Sequence, residues 1–186
     1  MIRDADHTRR RLLAAAAQEF SARGIAGARV DRIAEVAGVN KAMIYNYFGN
    51  KDQLFDAVLQ EHVASALNDV PIDADDLPGY AGRLFDHHQA RPEGLRLAMW
   101  HRLERGAGAV PETVQTANAD RAAAIATAQQ DGRLPAHFAP DELLALIVGL
   151  SIVGVPGGSP DDLAVRRRRK TITDAVGMLI EKGPAR

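Results

Sequence analysis

The chain has 186 residues, 46% of them apolar, enough for one or two small domains with a real core. With no cysteine it can hold neither a disulfide framework nor a thiolate metal site, and its opening residues are charged where a secretory leader needs an apolar core. Net charge is only −1, but it is uneven: the first sixty residues carry nine Lys or Arg against seven Asp or Glu, the remainder 14 against 17, a mild contrast between a basic head and an acidic body.

The first informative segment is 30–48. Val30, Ile33, Ala34 and Ala37 recur at three- and four-residue steps, so one stripe of a short helix is apolar and must be buried. Gly38 stands where the chain has to leave that helix, and glycine alone takes positive φ without a Cβ penalty. Asn40 is then placed to cap a second helix, whose Val39, Ile44 and Phe48 pack back on the first. Lys41, Ala42, Tyr45 and Asn46 lie on the opposite face, with Tyr47 beside them. Two short helices around a glycine turn make a helix-turn-helix, a device that enters the DNA major groove. The exposed set suits a groove, because lysine meets phosphate or guanine, asparagine pairs with adenine, tyrosine hydroxyls reach phosphates, and a small Ala42 permits close approach. After Gly49, Asn50 and Gln53 have the spacing of a capping box, which starts another helix at Lys51. A helix start attracts anions and Lys51 adds charge there, so it is expected to clamp a phosphate. The plainer alternatives are that Lys41 and Lys51 are solvated lysines and that Tyr45 and Tyr47 are packing aromatics.

The residues Arg11-Leu12-Leu13-Ala14-Ala15-Ala16, Phe20, Arg23-Gly24, Ile33-Ala34, Ala37-Gly38-Val39, Ile44-Tyr45, Phe48 and Lys51-Asp52-Gln53-Leu54 resemble the N-terminal domain of TetR-family transcriptional regulators. The resemblance spans roughly 9–59. It implies a leading helix over 8–23 that braces the motif, and DNA contacts from Lys41, Ala42, Tyr45, Asn46, Tyr47 and Lys51. The chain departs from the family pattern at Ala28-Arg29, where a hydroxyl residue is usual; Arg29 is expected to replace that phosphate contact by charge.

Beyond the motif, Leu54, Phe55, Val58, Leu59, His62 and Val63 continue an amphipathic helix up to an acidic, proline-bearing linker at 70–78. Further helices are predicted over 78–89, from Pro92 to the glycines at 106 and 108, over 111–130, over 140–155, and from a start at Ser159-Pro160-Asp161-Asp162 to Ile180. No strand, repeat or low-complexity signal is present, so the fold class is all-α, about nine helices. The resemblance implies a helix-turn-helix DNA-binding domain, 1–50, and a ligand-binding and dimerisation domain, 51–186. The longest apolar run, 143–156, is interrupted by Ser151 and too short for a bilayer, so a soluble cytoplasmic protein with no membrane partner is expected.

The last two helices are apolar nearly all round, which implies burial on more than one side. A homodimer is expected, with Leu143, Ile147, Leu150, Ile172, Val176 and Leu179 at its interface, and a dimer in turn expects a near-palindromic double-stranded operator. The basic run 166–170 points in every direction on a helix, and is read as solvated or paired with acids across the dimer. The resemblance also implies a small-molecule effector that moves the two heads through the helix after the motif. Phe85, His88, Leu95, Met99, Trp100, Leu103 and Ile147 are the candidate lining, an apolar set that suggests an apolar or aromatic effector and could equally be plain core. An enzyme or metal carrier is the competing class. His87, His88, His101, Asp86 and Glu104 contain ligand types, but adjacent helical histidines diverge and no repeated Glu-x-x-His pattern occurs. With no Gly-x-Ser-x-Gly elbow and no Walker loop either, no enzyme, metal or cofactor is expected.

Overall fold

The computed structural model describes residues 2–106, 111–154 and 161–181. Among these, nine helices and no strand occur: α1 (Ile2–Gly27), α2 (Val30–Ala37), α3 (Lys41–Phe48), α4 (Lys51–Asp69), α5 (Leu77–Ala90), α6 (Pro92–Arg105), α7 (Glu112–Gln130), α8 (Pro140–Ser151) and α9 (Asp162–Leu179). The expected glycine at 108, the helix end at Val155 and the Ser159-Pro160 start lie outside the described residues. The side chain of Asp161 caps α9 by accepting from the Leu163 amide.

The chain forms two compact units, 1–65 with 93–111, and 66–92 with 112–186. The apolar side of α4 completes the core of the first: Leu54, Phe55 and Val58 are fully buried with Leu12, Phe20, Ile33 and Ile44. Phe20 meets Phe55 edge-on at 5.2 Å, a geometry that contributes about 0.5–1.5 kcal/mol beyond burial. Leu97 of α6 is buried in the same core.

α1 is longer than the predicted brace and is broken at Gly24, whose φ of 72° belongs to the left-handed region. The break frees the amides of Ile25 and Ala26, and the Glu104 carboxylate of α6 accepts from both, at 2.9 and 2.7 Å. The Trp100 indole donates to the Ser21 carbonyl at 3.2 Å. Arg105 reaches Asp52 and Asp56 on α4. These bonds tie α6 to the first unit.

In the second unit α5 packs on α8 and α9, and α7 packs on α8. The six residues expected at a dimer face differ in burial within the single chain. Leu143, Ile147, Ile172 and Val176 are closed inside a single copy's own core, while Leu150 and Leu179 are half-buried. The large apolar residues exposed on these helices are Leu146, Leu163 and Met178, with Val153 just beyond α8. The basic run is largely paired within its own chain, in different directions around α9: Arg166 to Asp162 at 2.8 Å, Arg169 to Asp86 at 2.8 Å, Lys170 to Asp174 at 2.6 Å.

Candidate nucleic-acid interface

The turn that presents α3 is built as its residues dictate. Gly38 closes α2 at φ 63°, in the left-handed region that favours glycine, and an added Cβ would stand 2.5 Å from the Arg11 guanidinium and displace it. Arg11 itself donates to the Ala37 and Gly38 carbonyls, capping the end of α2. Asn40 caps α3 by accepting from the Ala42 amide at 2.9 Å, and Asn50 accepts from the Gln53 amide at 2.8 Å, starting α4.

Ile44 and Phe48 then fall inward and are buried, while Lys41, Ala42, Tyr45 and Asn46 are exposed on the other side. Tyr45 keeps 45% of its surface open, a high value for so large a ring. Lys41 is held by Asp31 of α2, Nζ to Oδ1 2.8 Å. That hydrogen bond lowers the Asp31 carboxyl and raises the Lys41 ammonium, so both groups stay charged near neutrality.

The flanking residues behave differently. Tyr47 is half-buried against the core and its hydroxyl donates to the Ala5 carbonyl at 3.4 Å. Lys51 is half-buried too, and its ammonium donates to the Ala26 and Ala28 carbonyls at 3.3 and 3.4 Å. It therefore caps the end of α1, with one of its three protons left to offer outward. Arg29 is exposed at the N-cap of α2 without capping it, and its side chain makes no hydrogen bond or ion pair among the described residues.

Glu19 was not singled out from the sequence, yet it organises this end of the unit. It is 7% exposed, accepts from the Arg29 amide at 3.2 Å, and pairs with Arg23 and Arg32, each at 3.3 Å. Only the Glu19–Arg23 spacing of four residues hinted at it. Arg9 was missed as well; its guanidinium lies 5.6 Å from the Phe48 ring centroid, at the end of α3. The run Arg9-Arg10-Arg11 was its visible sign.

The proposed effector lining is divided between the units. Phe85 and Ile147 are fully buried and His88 half-buried in the second; Leu95 and Trp100 are half-buried and Met99 and Leu103 exposed in the first. Among the described residues no group of three His, Cys, Asp or Glu could hold a metal ion, and no helix is long and apolar enough to cross a membrane.

Comparison with known proteins bears on the whole chain. Residues 12–58 match the family description "Bacterial regulatory proteins, tetR family" and residues 76–177 match "Tetracyclin repressor-like, C-terminal domain". The HTH-type transcriptional repressor SCO4008 of Streptomyces coelicolor is 40% identical over 151 residues, 80% of this chain and 79% of that protein. The crystal structure of SCO4942 from Streptomyces coelicolor, assigned as a transcriptional regulator, superposes with a TM-score of 0.81 at 34% identity, covering 95% of this chain and 99% of that one. AibR, solved in complex with isovaleryl coenzyme A and operator DNA, shares the fold at a TM-score of 0.67 and 22% identity, over 93% of this chain and 98% of its own. An exposed recognition helix on a capped glycine turn, followed by a matching C-terminal domain, leads to one assignment: the chain belongs to the TetR family of bacterial transcriptional regulators, not to a family of enzymes.

Proposed function

We propose that the protein is a homodimeric repressor that lays α3 in the major groove of a near-palindromic operator and leaves it when a small apolar or aromatic molecule binds the C-terminal domain. The observation that carries the reading is the division of α3 into a buried side, Ile44 and Phe48, and an open side, Lys41, Ala42, Tyr45 and Asn46. Asn46 and Ala42 are placed to meet base edges, and Lys41, Tyr45 and Arg29 to meet phosphates. Lys51 adds a phosphate contact through its remaining proton, and Tyr47 supports the end of the helix. The output is taken as repression, as in the name of SCO4008, and the place of action as the cytoplasm.

For the second copy, Leu146 and Leu150 of α8, with Val153 beyond it, form the available apolar stripe. Two-fold pairing then sets the recognition helices about 34 Å apart, one helical turn of DNA. Ligand control requires an effector that prefers the arrangement unable to bind DNA, since equal affinity for both states shifts nothing. The solved complex of AibR with both a coenzyme A ester and its operator supports the view that this fold accommodates both kinds of partner. Selection of bound fragments from a genomic DNA pool tests the proposal: a recurrent sequence with two-fold symmetry supports it, and salt-sensitive binding without sequence preference refutes it.

A further inference from the structure

The second unit contains a polar cluster that neither its packing nor the DNA-reading head accounts for. Tyr80 of α5 is fully buried, and its hydroxyl is the one buried side-chain polar atom without a hydrogen-bond partner among the described residues. A buried phenol that makes no bond is costly, so such a group calls for an explanation. On α5, Tyr80, Leu84 and His88 follow at steps of four and share one side of the helix. Arg121 of α7 lies within electrostatic reach of both polar members of that stripe. It is half-buried, and among the described residues it makes no hydrogen bond or ion pair. Its guanidinium acts electrostatically on Tyr80 and on His88. α5 and α7 both pack on α8.

The chemistry of the three groups is complementary to one kind of ligand. Arg121 supplies a permanent cation with free donors, Tyr80 a hydroxyl proton without an acceptor, and His88 a half-buried ring. Burial, then neighbouring His87 and Arg121, push the His88 imidazole down to about 4 from 6.5, so it is neutral here and adds no second cation. The nearest acid on α5, Asp86, is already paired with Arg169. Around the cluster, Leu84, Phe85 and Ile125 are buried and apolar.

We infer that the seam between α5 and α7 binds an organic anion with an apolar body and a carboxylate head, the carboxylate accepting hydrogen bonds from the Tyr80 hydroxyl and the Arg121 guanidinium. The inference rests on the ligand-responsive reading above and narrows its effector to a chemical class.

The test uses the full-length protein and a fixed set of probes: straight-chain fatty acids from butyrate to dodecanoate, benzoate, phenylacetate and salicylate, each beside its uncharged alcohol or amide. Binding is followed by calorimetry and by the shift in Tm. At least one carboxylate is expected to bind saturably where its neutral counterpart does not, with affinity falling about tenfold or more in Arg121→Gln and about threefold or more in Tyr80→Phe. Without ligand, Tyr80→Phe is expected to match or exceed the wild-type Tm, because an unpaired polar atom has been removed. No saturable carboxylate binding, binding unchanged by both substitutions, or a lower Tm for unliganded Tyr80→Phe overturns the inference. Release from DNA, measured in parallel, separates it from the broader reading. A neutral compound that releases the protein while no carboxylate binds leaves ligand control standing and removes this site. A carboxylate bound through Tyr80 and Arg121 without release does the reverse.

Discussion

Asp31 of α2 holds Lys41 of α3 across the turn, Oδ1 to Nζ 2.8 Å, directly on the face proposed to read DNA. The pair is at the surface, and its hydrogen bond keeps the acid deprotonated and the amine protonated. A DNA phosphate must therefore compete with Asp31 for this ammonium. Asp31→Asn is expected to tighten binding to all sequences and to steepen the salt dependence by up to about one unit, with little change in stability. Gel shifts over a range of salt check this; an unchanged slope removes Lys41 from the phosphate contacts.

Lys51 has two roles to separate, because the ammonium proposed to meet a phosphate also bonds the Ala26 and Ala28 carbonyls. Lys51→Ala is expected to lower the salt slope by about one unit and stability by roughly 0.5–1.5 kcal/mol. Titration with salt and with urea reads the two effects separately. Lost stability with an unaltered slope leaves Lys51 only its capping role.

Glu104 stabilises the broken end of α1 by accepting from the Ile25 and Ala26 amides. Its removal is expected to cost about 1–3 kcal/mol, since two amides lose a charged acceptor. Gly24→Ala should be at least as damaging: the φ of 72° is strained for alanine, and the new Cβ would stand 2.2 Å from the Glu104 carboxylate oxygen. Denaturant unfolding of the two variants measures both losses.

His88 makes stability depend on pH. Its imidazole titrates near 4 in the folded protein against 6.5 ordinarily, so on acidification the unfolded chain takes up the proton first. The contribution is intact above about 6.5 and is lost progressively as pH falls toward 4. His101 adds a dependence of the same sign, lowered by burial and then by the Arg105 charge. Unfolding midpoints measured from about pH 7 to about pH 5 should decline, and His88→Gln should remove much of that decline. A pH-independent midpoint in the wild type contradicts the assignment.

The helix-turn-helix could be read from the sequence because its constraints are local. Gly38, Asn40 and the step from Ile44 to Phe48 act within a few residues of one another, and each performs the expected part. The Glu104 carboxylate was hidden because its partners lie 78 and 79 residues away. The last helices pose the same distance problem. Leu143 and Ile147 are apolar and buried, as their spacing implies, but periodicity cannot say whether the covering surface belongs to the same chain or to another copy. Here α5 and α7 cover α8. Among the effector residues, Phe85 and Leu103 look alike in sequence, yet one is fully buried and the other 72% exposed. Tyr80 and Arg121 are not legible in the sequence, because a lone tyrosine and a lone arginine carry no periodic signal.

The most direct measurement compares wild type with Asn46→Ala on the selected operator and on a set of its single-base variants. Sequence reading by the open face of α3 predicts that the substitution weakens the preferred site by about 1–3 kcal/mol and flattens preference at one base pair of each half-site, leaving the others intact. Equal weakening on matched and mismatched DNA, or no change on either, would contradict it.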